Sequence, residues 1–166
     1  MSGEKGDFRS RGYILEEEII DIPTIEHMKK GPVPIIEDPE EIPCDACAYY
    51  CPSGAITMET LVSIPRVNYD KCIHCTICVQ VCPGLAIFLV DKSKSPENKT
   101  WVTVPHELLP VPKKGDLVKI LDRVGNVLGK APVVRILKSP KSAGTYLVTV
   151  EVDDELAMKV RAILAE

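Results

Sequence analysis

Apolar residues along this 166-residue chain keep no single period and fall into short runs punctuated by prolines, acids and cysteines. The first run, Y-I-L-E-E-E-I-I-D-I-P, alternates apolar groups with acids as far as Pro23, and G-P-V-P at 31–34 bars a regular helix there. This predicts an N-terminal arm over 1–36 that lies extended on its own domain, with the surface of a partner subunit as the alternative cover for its apolar side chains. Short β-like runs follow at 55–58 (A-I-T-M) and 86–90 (A-I-F-L-V), joined by L-V-S-I-P-R-V-N-Y-D at 61–70. The polar stretch 92–100 reads as an exposed connection with a domain boundary near it. W-V-T-V-P-H-E-L-L-P-V-P has too many prolines for a helix and too many apolar residues for a free linker, so it is expected to lie against the preceding domain. Beyond Lys113, three apolar runs separated by R-V-G-N and S-P-K-S-A-G predict a β meander of about three strands, with Tyr146, Val148, Val150 and Val152 on one face of the last. Asp153 or Asp154 is placed to cap a closing helix whose Leu156, Val160, Ile163 and Leu164 form an apolar stripe, covering the β module or docking a larger subunit. The expected organisation is an arm (1–36), a central domain (37–92), a connecting segment (93–112) and a small β module with its helix (113–166).

Cysteine changes this picture most. Cys44, Cys47 and Cys51 precede Pro52, and Cys72, Cys75, Cys78 and Cys82 precede Pro83. The second group is C-x2-C-x2-C-x3-C-P, in which three thiolates hold one cubane iron-sulfur cluster and the fourth ligates another. Adding 31 to Cys44, Cys47, Cys51, Pro52, Ala55 and Ile56 lands on Cys75, Cys78, Cys82, Pro83, Ala86 and Ile87, so the two groups are copies of one unit. Under the cross-over rule, Cys72, Cys75, Cys78 and Cys51 hold the first cluster, a 4Fe-4S centre. Cys44, Cys47 and Cys82 hold the second, which is 4Fe-4S or 3Fe-4S. Zinc sites pair their C-x2-C units across longer gaps, and an odd thiol count without a secretory signal speaks against a disulfide framework.

The eighth ligand is missing, because the repeat partner of Cys72 is Glu41. A carboxylate oxygen can bind iron, although it is harder than sulfur, so Glu41 and Asp38 are both candidates. Asp38 is flanked by Pro39, and Pro43 stiffens the approach to Cys44. The remaining alternative leaves both acids solvated and the cluster with three irons or one open iron. His74 and Thr76 stand in the gaps of the second loop, where His74 either tunes the potential or is an exposed loop histidine. Tyr49 and Tyr50 are expected to shield the first loop from water.

At 18.3 kDa the chain accommodates a small cluster domain plus one further module. A net charge of −4 and an aromatic content of 5% supply no basic surface for nucleic acid. The start shows no apolar leader and no later run is long enough for a bilayer span, so a cytoplasmic setting is expected, in keeping with thiols kept reduced. A single Gln beside abundant Val, Ile, Lys and Glu is compatible with a thermophilic source. No G-x-G-x-x-G or G-x-x-x-x-G-K-[ST] phosphate cradle occurs, so no flavin or nucleotide is expected on this chain alone. His27, His74 and His106 are scattered and no catalytic constellation is visible, which reads as a conductor of electrons rather than a catalyst.

G-P-V-P-I-I-E-D-P-E-E-I-P-C-D-A-C-A-Y-Y-C-P-S-G-A-I, C-I-H-C-T-I-C-V-Q-V-C-P-G-L-A-I, P-H-E-L-L-P-V-P-K-K-G-D and L-V-T-V-E-V-D-D-E-L-A-M-K-V-R-A-I together resemble the small ferredoxin-like subunit of multisubunit FAD-containing amino-acid dehydrogenases, such as dye-linked L-proline dehydrogenase complexes. The resemblance covers most of 31–164 and implies an α+β fold with a bacterial-type dicluster ferredoxin-like domain. It further implies flavoprotein dehydrogenase subunits as partners, with electrons passing from a flavin to another flavin or an external acceptor. A cysteine is expected in some relatives where Asp38 stands, which favours Asp38 over Glu41. A free-standing ferredoxin and a zinc-stabilised interaction protein are the competing readings.

Overall fold

In the computed structural model, which describes residues 7–138 and 144–165, the run Ile87–Asp91 shows how the chain is organised. Ile87 and Leu89 are buried in one apolar cluster and Phe88 and Val90 in another. A strand buries successive side chains in this way only when both faces of its sheet are covered.

The elements are α1 (Phe8–Arg11), α2 (Ile25–Lys30), β1 (Val33–Ile36), α3 (Ala46–Tyr49), β2 (Ile56–Thr57), β3 (Arg66–Val67), α4 (Ile77–Val81), β4 (Ile87–Asp91), β5 (Lys99–His106), β6 (Leu117–Leu121), β7 (Val127–Lys138), β8 (Tyr146–Asp153) and β9 (Ala162–Leu164). Seven strands form one antiparallel sheet in the order β1-β4-β5-β8-β7-β6-β9, and β2 pairs with β3 apart from it. β7 is long enough to serve two partners: Val127–Pro132 pair with β6 and Val133–Lys138 with β8, across a bulge between Val133 and Arg135. The bulge bends the strand, and β9 comes back to pack across β5. The main core fills the curl with Val33, Ile35, Val90, Val102, Val104, Val148, Val150, Ile120 and Ile163, and Ile14 and Ile19 of the arm join it. On the other face, Ile87, Leu89, Leu147 and Val79 pack with Cys47, Cys78 and Cys82, so the cysteine loops sit directly on the sheet.

Three expectations change. First, there is no closing helix: Asp154–Leu156 make one 3-10 turn and Ala162–Leu164 continue as β9, with Ile163 opposite Ile120. Val160 and Ile163 are buried as the stripe required. The main-chain bonds go instead to the open edge of β6, including Arg161 N–H to Leu121 O at 2.9 Å, because a short β-branched segment gains more from an unpaired edge than from an isolated helical turn. Second, residues 99–106, expected in a connecting segment, form a central strand. Pro105 is tolerated because it lies beyond Trp101–Thr103, the stretch of β5 paired with β4. The sheet therefore runs across the boundaries expected at 92/93 and 112/113. Third, the arm is not extended throughout. Thr24 caps α2 by accepting from His27 N–H at 3.3 Å, and Gly31 ends the helix. Pro34 in β1 sits on the sheet edge, where its missing N–H costs least. The turn expected over S-P-K-S-A-G lies, except for Gly144, outside the described residues.

Asp21 clamps the arm to the cluster unit. Its carboxylate accepts from Arg66 Nε at 2.9 Å, Arg66 Nη2 at 2.8 Å and Val67 N–H at 2.8 Å, while the Tyr69 hydroxyl lies 2.9 Å from Asp21 O. The Arg66 guanidinium, against some cost of burial and helped by the Val67 amide, holds Asp21 below the ordinary aspartate value of 3.8. The clamp is thus complete above that value and is lost as pH falls through the lowered one, where the folded carboxylate takes up a proton already bound in the unfolded chain. Asp21→Asn should lower the melting temperature at pH 7 by about 2–4 °C, with the difference from the parent shrinking in acid. Thermal unfolding followed at pH 7 and pH 3 checks both parts.

Candidate iron-sulfur centres

The two cysteine copies build the same local structure twice. α3 and α4 begin at Ala46 and Ile77, positions 31 apart, and they pack against each other. Each C-P pair is followed by a left-handed residue, Gly54 at φ 63° and Leu85 at φ 52°. That turn aims an amide back at the cysteine: Ala55 N–H lies 3.2 Å from Cys51 Sγ, and Ala86 N–H lies 3.3 Å from Cys82 Sγ. Such donors stabilise negative charge on sulfur.

The thiols sort into two cavities. One is lined by Cys51, Cys72, Cys75 and Cys78 with Pro52, Ile73, His74 and Leu89. The other is lined by Cys44, Cys47 and Cys82 with Asp38, Ile36 and Ile87. Cys51 and Cys82 each lie away from the other cysteines of their own copy and line the cavity of the other group. Asp38 is half-buried in the second cavity, whereas Glu41 is exposed and lines neither. All seven cysteines are free thiols. They ring their cavities, and among the described residues no three His, Cys, Asp or Glu side chains converge as one metal ion requires.

Electrostatics follow the same grouping. Burial pushes the Cys47 thiol up to about 11, and Cys82 and Cys44 beside it add to the effect. Burial raises Cys78 further, and Cys75, Cys72 and Cys47 add to the effect; Cys47 and Cys78 pack against one apolar cluster, so the two cavities are neighbours. Cys72 is raised by burial and by Cys75 and Cys51. Burial also works against Cys51, yet the Ile56 amide, the Ser53 hydroxyl and the Ala55 amide outweigh it and hold this thiol below its usual range. Asp38 is raised by burial and by neighbouring Glu40, against one bond from the Glu40 amide. Thiols with raised values stay protonated at neutral pH until a cationic centre displaces the proton.

His74 is half-buried, not an exposed loop residue. Its Nδ1 donates to Pro32 O at 3.2 Å, and its backbone is left-handed at φ 60°, as is Thr76 at φ 65°. A side chain on Gly31 would come within 2.7 Å of the His74 ring, so glycine is what lets the arm lie flat on the second loop. Tyr49 and Tyr50 do not shield the first loop. They stand 76% and 56% exposed as an edge-to-face pair with centroids 5.0 Å apart.

The profile of the 4Fe-4S dicluster domain family matches residues 42–105. Pyruvate synthase subunit PorD of Methanocaldococcus jannaschii is 34% identical over 61 residues, covering 37% of this chain and 70% of that protein. The chain belongs to the 4Fe-4S dicluster ferredoxin family. Other similar proteins are the PorD subunits of Methanothermobacter marburgensis, 37% identical over 54 residues (32% of this chain, 60% of that one), and of Thermotoga maritima, 41% identical over 54 residues (32% and 54%). No solved structure matches the chain.

This dicluster ferredoxin is an iron-sulfur electron-transfer protein. Its cavities fit the family's cofactors: they are walled by apolar side chains, supplied with thiols, and each receives an amide aimed at sulfur. No helix among the described residues is long and apolar enough to cross a membrane. Sequence reading missed one feature beside the second cavity, the Glu37 carboxylate. It takes Arg123 through Nε (3.1 and 3.0 Å) and Nη2 (2.6 Å), and Arg161 through Nε (2.6 Å). These partners are 86 and 124 positions away, so no local pattern announces them.

Proposed function

We propose that Cys51, Cys72, Cys75 and Cys78 hold one 4Fe-4S cluster and that Cys44, Cys47, Cys82 and Asp38 hold a second, and that the chain relays single electrons between them as a subunit of a larger complex. The carrying observation is the pair of neighbouring thiol-lined cavities, whose Cys47, Cys78 and Cys82 pack against one apolar cluster. When bound, such clusters accept and release one electron at a time. The chain's own contribution is to place the ligands, aim the Ala55 and Ala86 amides at sulfur, and cover both cavities with Leu89, Ile36 and Ile87. A carboxylate at Asp38 in place of sulfur gives one cluster a harder, more exchangeable ligand than the other. Asp38→Cys should convert the electron paramagnetic resonance spectrum of one cluster and leave the other unchanged, while Glu41→Cys changes neither. A spectrum altered by Glu41→Cys alone would transfer the role to Glu41.

We assign the chain to a flavin-dependent amino-acid dehydrogenase complex of the proline type in a reducing cytoplasm, relaying electrons from a flavoprotein subunit. The phrases outside the cysteine loops support this assignment; they run over 31–43, 105–116 and 147–163, and so take in β1, most of β8 and the approach to β9. A pyruvate synthase complex is the second reading, favoured by the identity to PorD; that identity spans only 32–37% of this chain. Exposed Tyr49, Tyr50 and Ile73 beside the cysteine loops give a partner an apolar landing surface. The complex purified from its source should reduce dye with proline or another amino acid and carry flavin in a companion subunit. Dye reduction with pyruvate alone would favour the second reading, and a chain that elutes alone at 18.3 kDa would sink both. Tyr49→Ser with Tyr50→Ser should weaken co-purification about tenfold or more, with iron content unchanged.

A further inference from the structure

Beside the cluster unit, on the side of the arm, lies a cavity of about 420 Å³ lined by Phe8, Arg9, Tyr13, Phe88, Arg123 and Arg161, among others. That volume falls in the range of small-molecule sites, roughly 300–1,000 Å³. None of the seven cysteines lines it, and it shares Asp38 with the second thiol cavity.

The Arg161 side chain is only 4% exposed. Its Nε binds Glu37 and its Nη1 donates to Val160 O, both at 2.6 Å, but its buried Nη2 has no partner among the described residues. A buried guanidinium with one idle arm is costly unless something accepts from it. Glu37 is shared between Arg123 and Arg161, so this buried trio by itself carries one excess positive charge, while with Arg9, Asp38 and Glu40 the whole lining holds three arginines and three carboxylates. The exposed side chain of Arg9 reaches the same cavity, paired with Asp7 at 3.4 Å and with its guanidinium 4.6 Å from the centre of the Phe8 ring. Asp38 and Glu40 line the cavity too and leave the arginine side as the place for an anion. Rings complete the walls, with the Arg161 guanidinium 4.8 Å over Phe88 and the arm supplying Phe8 and Tyr13.

We propose that this cavity binds a small organic oxyanion with a flat apolar body, its phosphate or carboxylate group taken by Arg161 Nη2 and its body lying against Phe8, Tyr13 and Phe88. A guanidinium fork suits either oxyanion, and aromatic faces suit a planar body. The site stands independently of which complex the chain serves, and the ligand contacts assigned to it do not use Asp38, which it shares with the second thiol cavity. In the proposed electron path, the ligand rests beside the cluster that Asp38 adjoins.

Calorimetric titration of the full chain with its clusters, using phenyl phosphate, benzoate and inorganic phosphate as probes, tests this. One saturable site is expected, with phenyl phosphate or benzoate binding about tenfold or more tightly than inorganic phosphate, and the tighter of the two identifies the oxyanion. Phe8→Ala, on the arm, and Arg161→Lys, which retains a charge for Glu37, should each weaken that probe about tenfold. Should Arg161→Lys fail to fold, Phe8→Ala and Tyr13→Ala decide. Absence of saturable binding up to about 10 mM, or affinity unchanged in the folded variants, overturns the proposal. The readout is heat and involves no electron transfer, so a failure here is separate from a failure of the redox assignment.

Discussion

Cys51→Ser should remove the cluster seated against the second cysteine loop while sparing the one seated against its own. Cys51 lines the cavity of Cys72, Cys75 and Cys78, and Cys82 lines that of Cys44 and Cys47. A serine oxygen is harder than thiolate sulfur and a poor substitute in a cluster. Iron and sulfide should fall by about half, or the affected centre should survive only as a three-iron species. If ligands instead stayed within their own copy, the cluster of Cys44 and Cys47 would suffer. Asp38→Cys separates these outcomes, because it marks the spectrum of the second cavity's cluster. In the double variant, the altered signal produced by Asp38→Cys should persist after the other is gone. Disappearance of the altered signal, with the unaltered one retained, would reverse the assignment of Cys51.

Glu37→Gln should be the most damaging substitution away from the cysteines. The carboxylate is 9% exposed and holds Arg123, 12% exposed, and Arg161, 4% exposed. Burial already pushes the Arg161 guanidinium below its ordinary range, although Glu37 opposes the shift. Removing the negative charge leaves two buried cations facing each other, a change that costs about 3–5 kcal/mol where one partner of a buried pair is lost. For a chain of this size that corresponds to a melting temperature lower by roughly 10 °C. Chemical denaturation of the cluster-loaded protein measures it. A loss below about 1 kcal/mol would mean that water satisfies the arginines as well as Glu37 does. The pair also ties β1 to β9 across the curl: Glu37 directly follows β1, and Arg161 directly precedes β9. The same substitution should therefore loosen the closing strand, visible as faster amide exchange at Ile163.

The cysteine repeat was the most legible part of the chain, because covalent spacing alone decides which thiols share a loop. The faces of β8 were equally readable, since a period of two depends only on neighbours in sequence. What escaped depends on distant partners. Leu156, Val160 and Ile163 fit a helical stripe, and the chain becomes β9 because the edge of β6, some forty positions earlier, stands open to it. β5 was hidden by Pro105, which is harmless because the pairing of β5 with β4 stops at Thr103. From the residues alone Asp38 and Glu41 were both open as ligands, and only the family resemblance leaned toward Asp38. Asp38, two residues beyond β1, lines the cavity of Cys44, Cys47 and Cys82, while Glu41 stands in solvent. Tyr49 and Tyr50 looked like a cover for the first loop and instead face outward, a conclusion that needed the direction of α3.

Metal and sulfide analysis of protein prepared without oxygen, joined to electron paramagnetic resonance of its reduced form, tests the central claim most directly. The account predicts about seven to eight irons with matching inorganic sulfide and two reduced centres whose signals broaden each other, since Cys47 and Cys78 pack against one apolar cluster. Colourless protein, or zinc bound without sulfide, would contradict it.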